Sequence, residues 1–181
     1  MKLATVAMNL RRAVPDDAVA VARVHVRAWQ VAYRGLMPDE YLDGLKPEER
    51  AQRYDFASLD PARPTTLVAV EADEVLGFAT VAPARDEDAA GQGELCALYV
   101  EPDLWGRGVG QALAVAARSE LCRLGFNKAL LWVLAGNARA QRFYRADGWT
   151  ADALQRAQQI WRVSVSTVRY SRMLESARLE S

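Results

Sequence analysis

Three glycines alternate at Gly106, Gly108 and Gly110, and an apolar, helix-forming stretch follows them. Glycine lets a backbone approach another group closely. A helix start holding three of them turns several amide N–H groups in one direction, the arrangement that receives a phosphate or pyrophosphate. Around this loop stand further residues able to do chemistry: Glu94 before it, then Asn137 and the pair Phe143-Tyr144 after it. Tyr144 carries a phenol and Glu94 a carboxyl, so the segment holds an acid, a base and an anion cradle within 51 positions.

The elements that must position these groups are legible around them. Leu95 to Val100 reads as a strand, Gly108 to Leu124 as a helix with Gly125 after it, Lys128 to Leu134 as a strand buried on both faces, and Asn137 to about Ala146 as an Asn-capped helix. Upstream, Leu10 to Val14 is a short strand. Pro15-Asp16-Asp17 opens a helix to about Tyr33, and Pro38 and Pro47 open two more, the last to about Phe56. Thr66 to Val70 and Val75 to Val81 form a hairpin across Glu71 to Glu74. Trp149 to Leu154 and Ser164 to Met173 close the chain as strands. Strands pair antiparallel first and a strand–helix–strand–helix unit follows. The expected fold is therefore single-domain α/β (α+β by some schemes), a mixed, mostly antiparallel sheet with helices on both faces.

Composition sets bounds. The 181 residues suit one domain, with 51% hydrophobic and 25% charged residues and 23 acids against 23 bases, so no global field favours nucleic acid or a membrane surface. No apolar run reaches the roughly 18 residues of a membrane span, and no signal peptide is read at the N-terminus. Cys96 and Cys122 are read as buried free thiols in a reducing cytoplasm. One histidine, His25, and two separated cysteines make a metal site an unfavourable reading.

The glycine loop is neither a dinucleotide turn nor a P-loop. Five residues, Glu101 to Trp105, separate the strand from the first glycine, the next strand lacks a terminal acid, and Gln111-Ala112 follow where Lys-Ser/Thr would be required. Taken with its surroundings, LYVEPDLWGRGVGQAL followed by NARAQRFYRADGW resembles the GNAT superfamily of acetyl-coenzyme A-dependent N-acetyltransferases. The family's Arg/Gln-x-x-Gly-x-Gly/Ala falls on residues 105–110, and its Asn-x-x-Ala-x-x-Phe-Tyr with a Gly-aromatic pair falls on Asn137, Ala140, Phe143, Tyr144, Gly148 and Trp149. Trp105 stands where Arg or Gln is usual. The likeness is strong over 94–149 and looser over 10–82, where the order of elements matches.

The resemblance implies a GNAT domain over 10–174 with tails 1–9 and 175–181, and central strands that splay. It assigns acetyl-coenzyme A to Trp105, Gly106, Arg107, Gly108, Val109, Gly110 and Gln111 for the pyrophosphate. It assigns Asn137 and the backbone of Leu98, Tyr99 and Val100 to the pantetheine arm. Tyr144 becomes the general acid for the departing sulfur, a phenol near pKa 10 against a thiol near 8.5. Glu94 is the proposed base, either that or a solvated strand-end charge. Glu101 is a poorer base, lying beyond Val100. Arg107 ranks ahead of Arg139 and Arg142 for phosphate contact, and His25 is assigned to helix packing. Trp29 and Tyr33, spaced i and i+4, either line an acceptor pocket or pack in the core. Asp86, Glu87 and Asp88 either draw a cationic amine or are simply solvated. The acceptor is a small-molecule or peptide amine. Alternatives are transfer of a larger acyl group and a non-catalytic acyl-coenzyme A sensor. By the same analogy the tail strands can pair across a homodimer, with Trp161 in the seam.

Overall fold

The computed structural model describes residues 8–160 and 163–175. Its strands are β1 (Asn9–Arg12), β2 (Thr65–Glu71), β3 (Glu74–Pro83), β4 (Gly93–Val100), β5 (Lys128–Leu134), β6 (Thr150–Ile160) and β7 (Val163–Met173). Its α-helices are α1 (Ala18–Ala32), α2 (Asp39–Asp43), α3 (Pro47–Ala51), α4 (Val109–Arg123) and α5 (Ala138–Ala146). The strands form one sheet in the order β1-β2-β3-β4-β5-β7-β6. Of the pairings, β4–β5 alone is parallel.

Local chemistry sets the register. Ala72 and Asp73 sit at φ 45° and 69°, as a tight two-residue hairpin turn demands, and Glu71 then faces Glu74. From there side chains alternate between faces. Val68 and Phe78 meet Val21 and Val24 of α1 on one face. Ala69, Ala79 and Val81 meet Leu113, Ala117 and Leu121 of α4 on the other. Helices thus cover both faces, as expected, and the mixed α/β fold is the one read from the sequence.

Three boundaries differ from the expectation. The segment opened by Pro47 stops at Ala51. Beyond it Tyr54 and Phe56 stack on each other, centroids 5.0 Å apart, and both pack toward the α1 side of the sheet. Burying two large rings outweighs one more helical turn. β6 runs to Ile160 rather than Leu154, because a register shift between Ala151 and Gln155 breaks the alternation that marks a strand. Pro15–Asp17 forms a 3-10 turn before α1. Trp161 lies outside the described residues. Among the described residues no helix is long and apolar enough to cross a membrane, and no group of three or more metal-ligating side chains is present.

Candidate active site

The site begins with one extra residue. Along β3–β4, Thr80 faces Ala97 and Val81 faces Leu95, so Cys96 has no partner in that ladder. Such a β-bulge bends and twists its strand. β4 pairs with β5 through Gly93 and Glu94 alone, and from Leu95, next to the bulge, the two strands part. Leu95 to Val100 is left with an unzipped edge in mid-sheet, where backbone groups need partners.

A cavity of about 450 Å³ fills the gap. Its long wall is Leu95 to Val100, including Leu98, Tyr99 and Val100. Its far end is Trp105, Gly106, Gly108, Gly110 and Gln111, and α5 contributes Asn137, Arg139 and Tyr144. Gly106 and Gly108 lie at φ 77° and 87°, a left-handed conformation that other residues adopt at a cost. No heavy atom comes within 4 Å of where a Cβ on either would sit. The first amide of α4 with a partner is that of Ala112, on the Gly108 carbonyl at 3.0 Å. The four preceding N–H groups, from Gly108 to Gln111, are the orphans every helix start leaves. They sit at the positive end of the α4 dipole. Val109 is buried beneath the loop and Arg107 is exposed, and neither side chain lines the cavity. The Val109 backbone amide remains one of the four orphans.

Trp105 compensates for the missing Arg or Gln in an unexpected way. Its indole Nε1 donates to the Val100 carbonyl at 2.9 Å, tying the glycine loop to the end of β4. The Arg139 guanidinium lies over its ring, 3.3 Å from the centroid. Arg139, ranked behind Arg107 from the sequence, is the arginine that lines the cavity. Glu101 N donates to the Leu76 carbonyl at 2.9 Å, so Tyr99, two residues back and opposite Phe78, also turns its backbone to β3. Leu98 and Val100 face the open side, and since Val100 O already accepts a bond, Leu98 carries most of the free edge. Asn137 caps α5, its side-chain oxygen accepting from Ala140 N at 3.1 Å, which the sequence anticipated.

Tyr144 faces the cavity from α5, held edge-on by Phe143 at 5.3 Å and Trp149 at 6.3 Å. Burial pushes its phenol well above the ordinary range, so it stays protonated. Glu94 lines a different cavity, of about 520 Å³, together with Trp29, Tyr33, Arg50 and Arg53. Burial raises its carboxyl above the usual 4.5, against the opposing pull of the Arg85 charge. The two cavities share Tyr33, Cys96, Tyr99 and Trp132, so they meet across β4. Trp29 and Tyr33 are each 8% exposed and belong to a core cluster; they both pack and line.

Several residues take other places. Cys96 reaches the shared wall, but burial pushes its thiol up to about 12, which leaves no thiolate to act as a nucleophile. Glu101 is engaged by Arg27 at 2.8 Å. His25 is buried, stacked on Tyr99 at 4.8 Å and hydrogen-bonded through Nδ1 with the Tyr54 hydroxyl at 2.8 Å. Two of the three acids in the loop are already neutralised: Asp86 holds Arg156 at 3.0 Å and Arg169 at 3.2 Å, and Asp88 holds Arg169 at 2.7 Å, while Glu87 is exposed. Trp132 was missed altogether. An indole in the otherwise aliphatic run of β5 was the available signal. Its Nε1 donates to Asp86 at 2.9 Å while its ring lines both cavities.

Comparison with known proteins gives the family and the fold. Residues 26–149 match the Acetyltransferase (GNAT) family. The chain is 30% identical over 130 residues to the uncharacterized N-acetyltransferase YuaI of Bacillus subtilis, covering 72% of this chain and 73% of that one. It is 35% identical over 90 residues to a mycothiol acetyltransferase of Geodermatophilus obscurus, of whose length the match spans 29%. Among solved structures, yncA of Salmonella typhimurium with its cofactor acetyl-CoA superposes with a TM-score of 0.70 at 20% identity, over 97% of this chain and 98% of that one. The PaiA N-acetyltransferase of Thermoplasma acidophilum in complex with coenzyme A gives 0.67 at 18% identity, over 91% and 98%. This chain belongs to the acetyltransferase (GNAT) family. It is an acyltransferase of that fold.

Proposed function

We propose that this protein transfers an acetyl group from acetyl-coenzyme A to a primary amine by direct attack in a ternary complex. The observation that carries the reading is the junction of two cavities at Tyr33, Cys96, Tyr99 and Trp132. One is fitted for a long, diphosphate-bearing carrier and the other for its reaction partner. The residues present suit the carrier. Open amides from Gly108 to Gln111 match a pyrophosphate, and the unpaired backbone of Leu98, with the N–H of Val100, offers hydrogen bonds to an extended amide-bearing arm.

When bound, the carrier supplies an activated thioester. The protein's part is to hold and move protons. Glu94, on the acceptor side and partly desolvated, takes the proton of the attacking amine, directly or through water. A free N–H of β4 steadies the charge that develops on the carbonyl oxygen. As the carbon–nitrogen bond forms and the carbon–sulfur bond breaks, Tyr144 gives its phenolic proton to the sulfur and regains one from solvent. Cys96 is not acylated, since its thiol stays protonated.

Thermal unfolding with coenzyme A, alongside free-thiol release from acetyl-coenzyme A across a panel of amines, tests this. Coenzyme A at about 100 times its dissociation constant should stabilise the fold by roughly 2.7 kcal/mol. No shift with either form of the carrier removes the site. Tight binding with no thiol released by any amine makes the protein a binding module.

A further inference from the structure

The acceptor cavity is asymmetric in charge. One wall holds Glu94 on β4. The same cavity is lined by Arg50 at the end of α3, by Arg53 just beyond it and by Arg156 on β6. Arg156 is committed to Asp86 and lies over Trp132, 3.9 Å from its centroid. Arg50 is differently placed. Its Nε donates to the Tyr54 hydroxyl at 3.5 Å, and its guanidinium lies 5.6 Å from the centroid of the Tyr54 ring. Among the described residues no carboxylate comes within ion-pair distance of it. Its charge is nonetheless felt inward: after burial, it is the second cause that holds the His25 pKa down, and it opposes the rise that burial imposes on Tyr54 and Tyr99. Between the poles, Trp29, Tyr33, Leu134 and Ile160 supply an apolar middle.

A half-buried guanidinium that lines a cavity, with no acid beside it among the described residues, matches an anion brought by the ligand. Asp86, Asp88 and Asp152 are already held by Arg156 or Arg169, which leaves Glu94 as the acid that lines this cavity. We infer that the acceptor is a small primary amine carrying its own carboxylate, the amine directed to Glu94 and the carboxylate to Arg50. This rests on the acetyl-transfer reading above and specifies the chemistry of its second substrate.

The test compares matched acceptors on the full chain: free amino acids of differing side chain and spacer length, each beside its carboxamide, with thiol release from acetyl-coenzyme A as readout. A charge-assisted pair contributes on the order of 1.5–3 kcal/mol, so the free acids should exceed their amides in kcat/KM by roughly ten- to a hundredfold. Arg50→Gln should bring that ratio toward one, and Arg50→Lys should restore part of it. Persistence of the coenzyme A-induced rise in Tm in both variants establishes that they fold and bind the carrier. Amides that match or outperform the acids, or an Arg50→Gln variant that keeps the preference, overturns the inference while acetyl transfer stands. Thiol release from neither series, despite carrier binding, overturns both, and the failure is then that of the transfer reading.

Discussion

Arg139 lies flat on Trp105, its guanidinium carbon 3.3 Å from the ring centroid. The position is electrostatically awkward, because Arg139 occupies the first turn of α5, where the helix dipole disfavours a cation. Burial further disfavours its charged form. An anion in the adjoining cavity would relieve both penalties. Arg139→Ala should therefore weaken coenzyme A binding by about tenfold, or about 1.4 kcal/mol, measured by calorimetry, with kcat at saturation little changed. An unaltered dissociation constant makes the stack a purely structural contact.

Tyr144→Phe keeps the ring packing on Phe143 and Trp149 and removes the hydroxyl. Turnover should fall by about a hundredfold or more, the usual scale for losing a general acid, while coenzyme A affinity stays within about twofold. Parallel losses in both would reassign Tyr144 to binding or packing. Because burial raises the phenol, Tyr144 should add no alkaline limb to the rate profile.

Glu94 makes a prediction with two signs. As the base it works ionised, and burial raises its pKa, so the acidic limb of kcat/KM should have its midpoint above 4.5, and Glu94→Gln should abolish that limb along with most of the rate. Stability runs the other way. A carboxyl whose folded pKa is raised binds its proton more tightly when folded, so its contribution is present below the unfolded pKa and lost as pH rises through the folded one. Glu94→Gln should thus leave Tm at neutral pH unchanged or higher. A marked fall in Tm would mark Glu94 as a structural residue.

His25 should govern acid sensitivity of the fold. Burial and the Arg50 charge hold its pKa well below 6.5, so the unfolded chain takes up a proton that the native state refuses. Stability is then full above pH 6.5 and declines below it, by up to about 1.4 kcal/mol per pH unit. Chemical denaturation from pH 7.5 to 5 should reveal this slope, and His25→Phe should flatten it. The cost is the bond with Tyr54, about 1 kcal/mol at neutral pH. A slope unchanged in the variant assigns the effect elsewhere.

What the sequence made legible was whatever depends on near neighbours. β5 spans the same seven residues that were read as a buried strand, Asn137 caps α5 as its type suggests, and the hairpin turn falls at Ala72-Asp73. The glycine loop, too, announces itself by composition. The rest depends on residues far apart in the chain. Arg169 meets Asp88 across 81 positions and Arg156 meets Asp86 across 70, so a run of acids looked free when it was not. Arg139 rather than Arg107 lines the cavity because its guanidinium lies on Trp105, a contact no local pattern encodes. Trp29 and Tyr33 were read as either core or lining, and the geometry makes the two compatible.

The unpaired residue Cys96 carries a cost that the fold must keep bearing. Were β4 one residue shorter at that point, its ladder with β3 would run without interruption, and nothing would deflect it from lying alongside β5 throughout. The sheet would then be seamless, and the space that the cavity now occupies would close. Catalytic competence here is a deliberate flaw in the weave, one stitch wide.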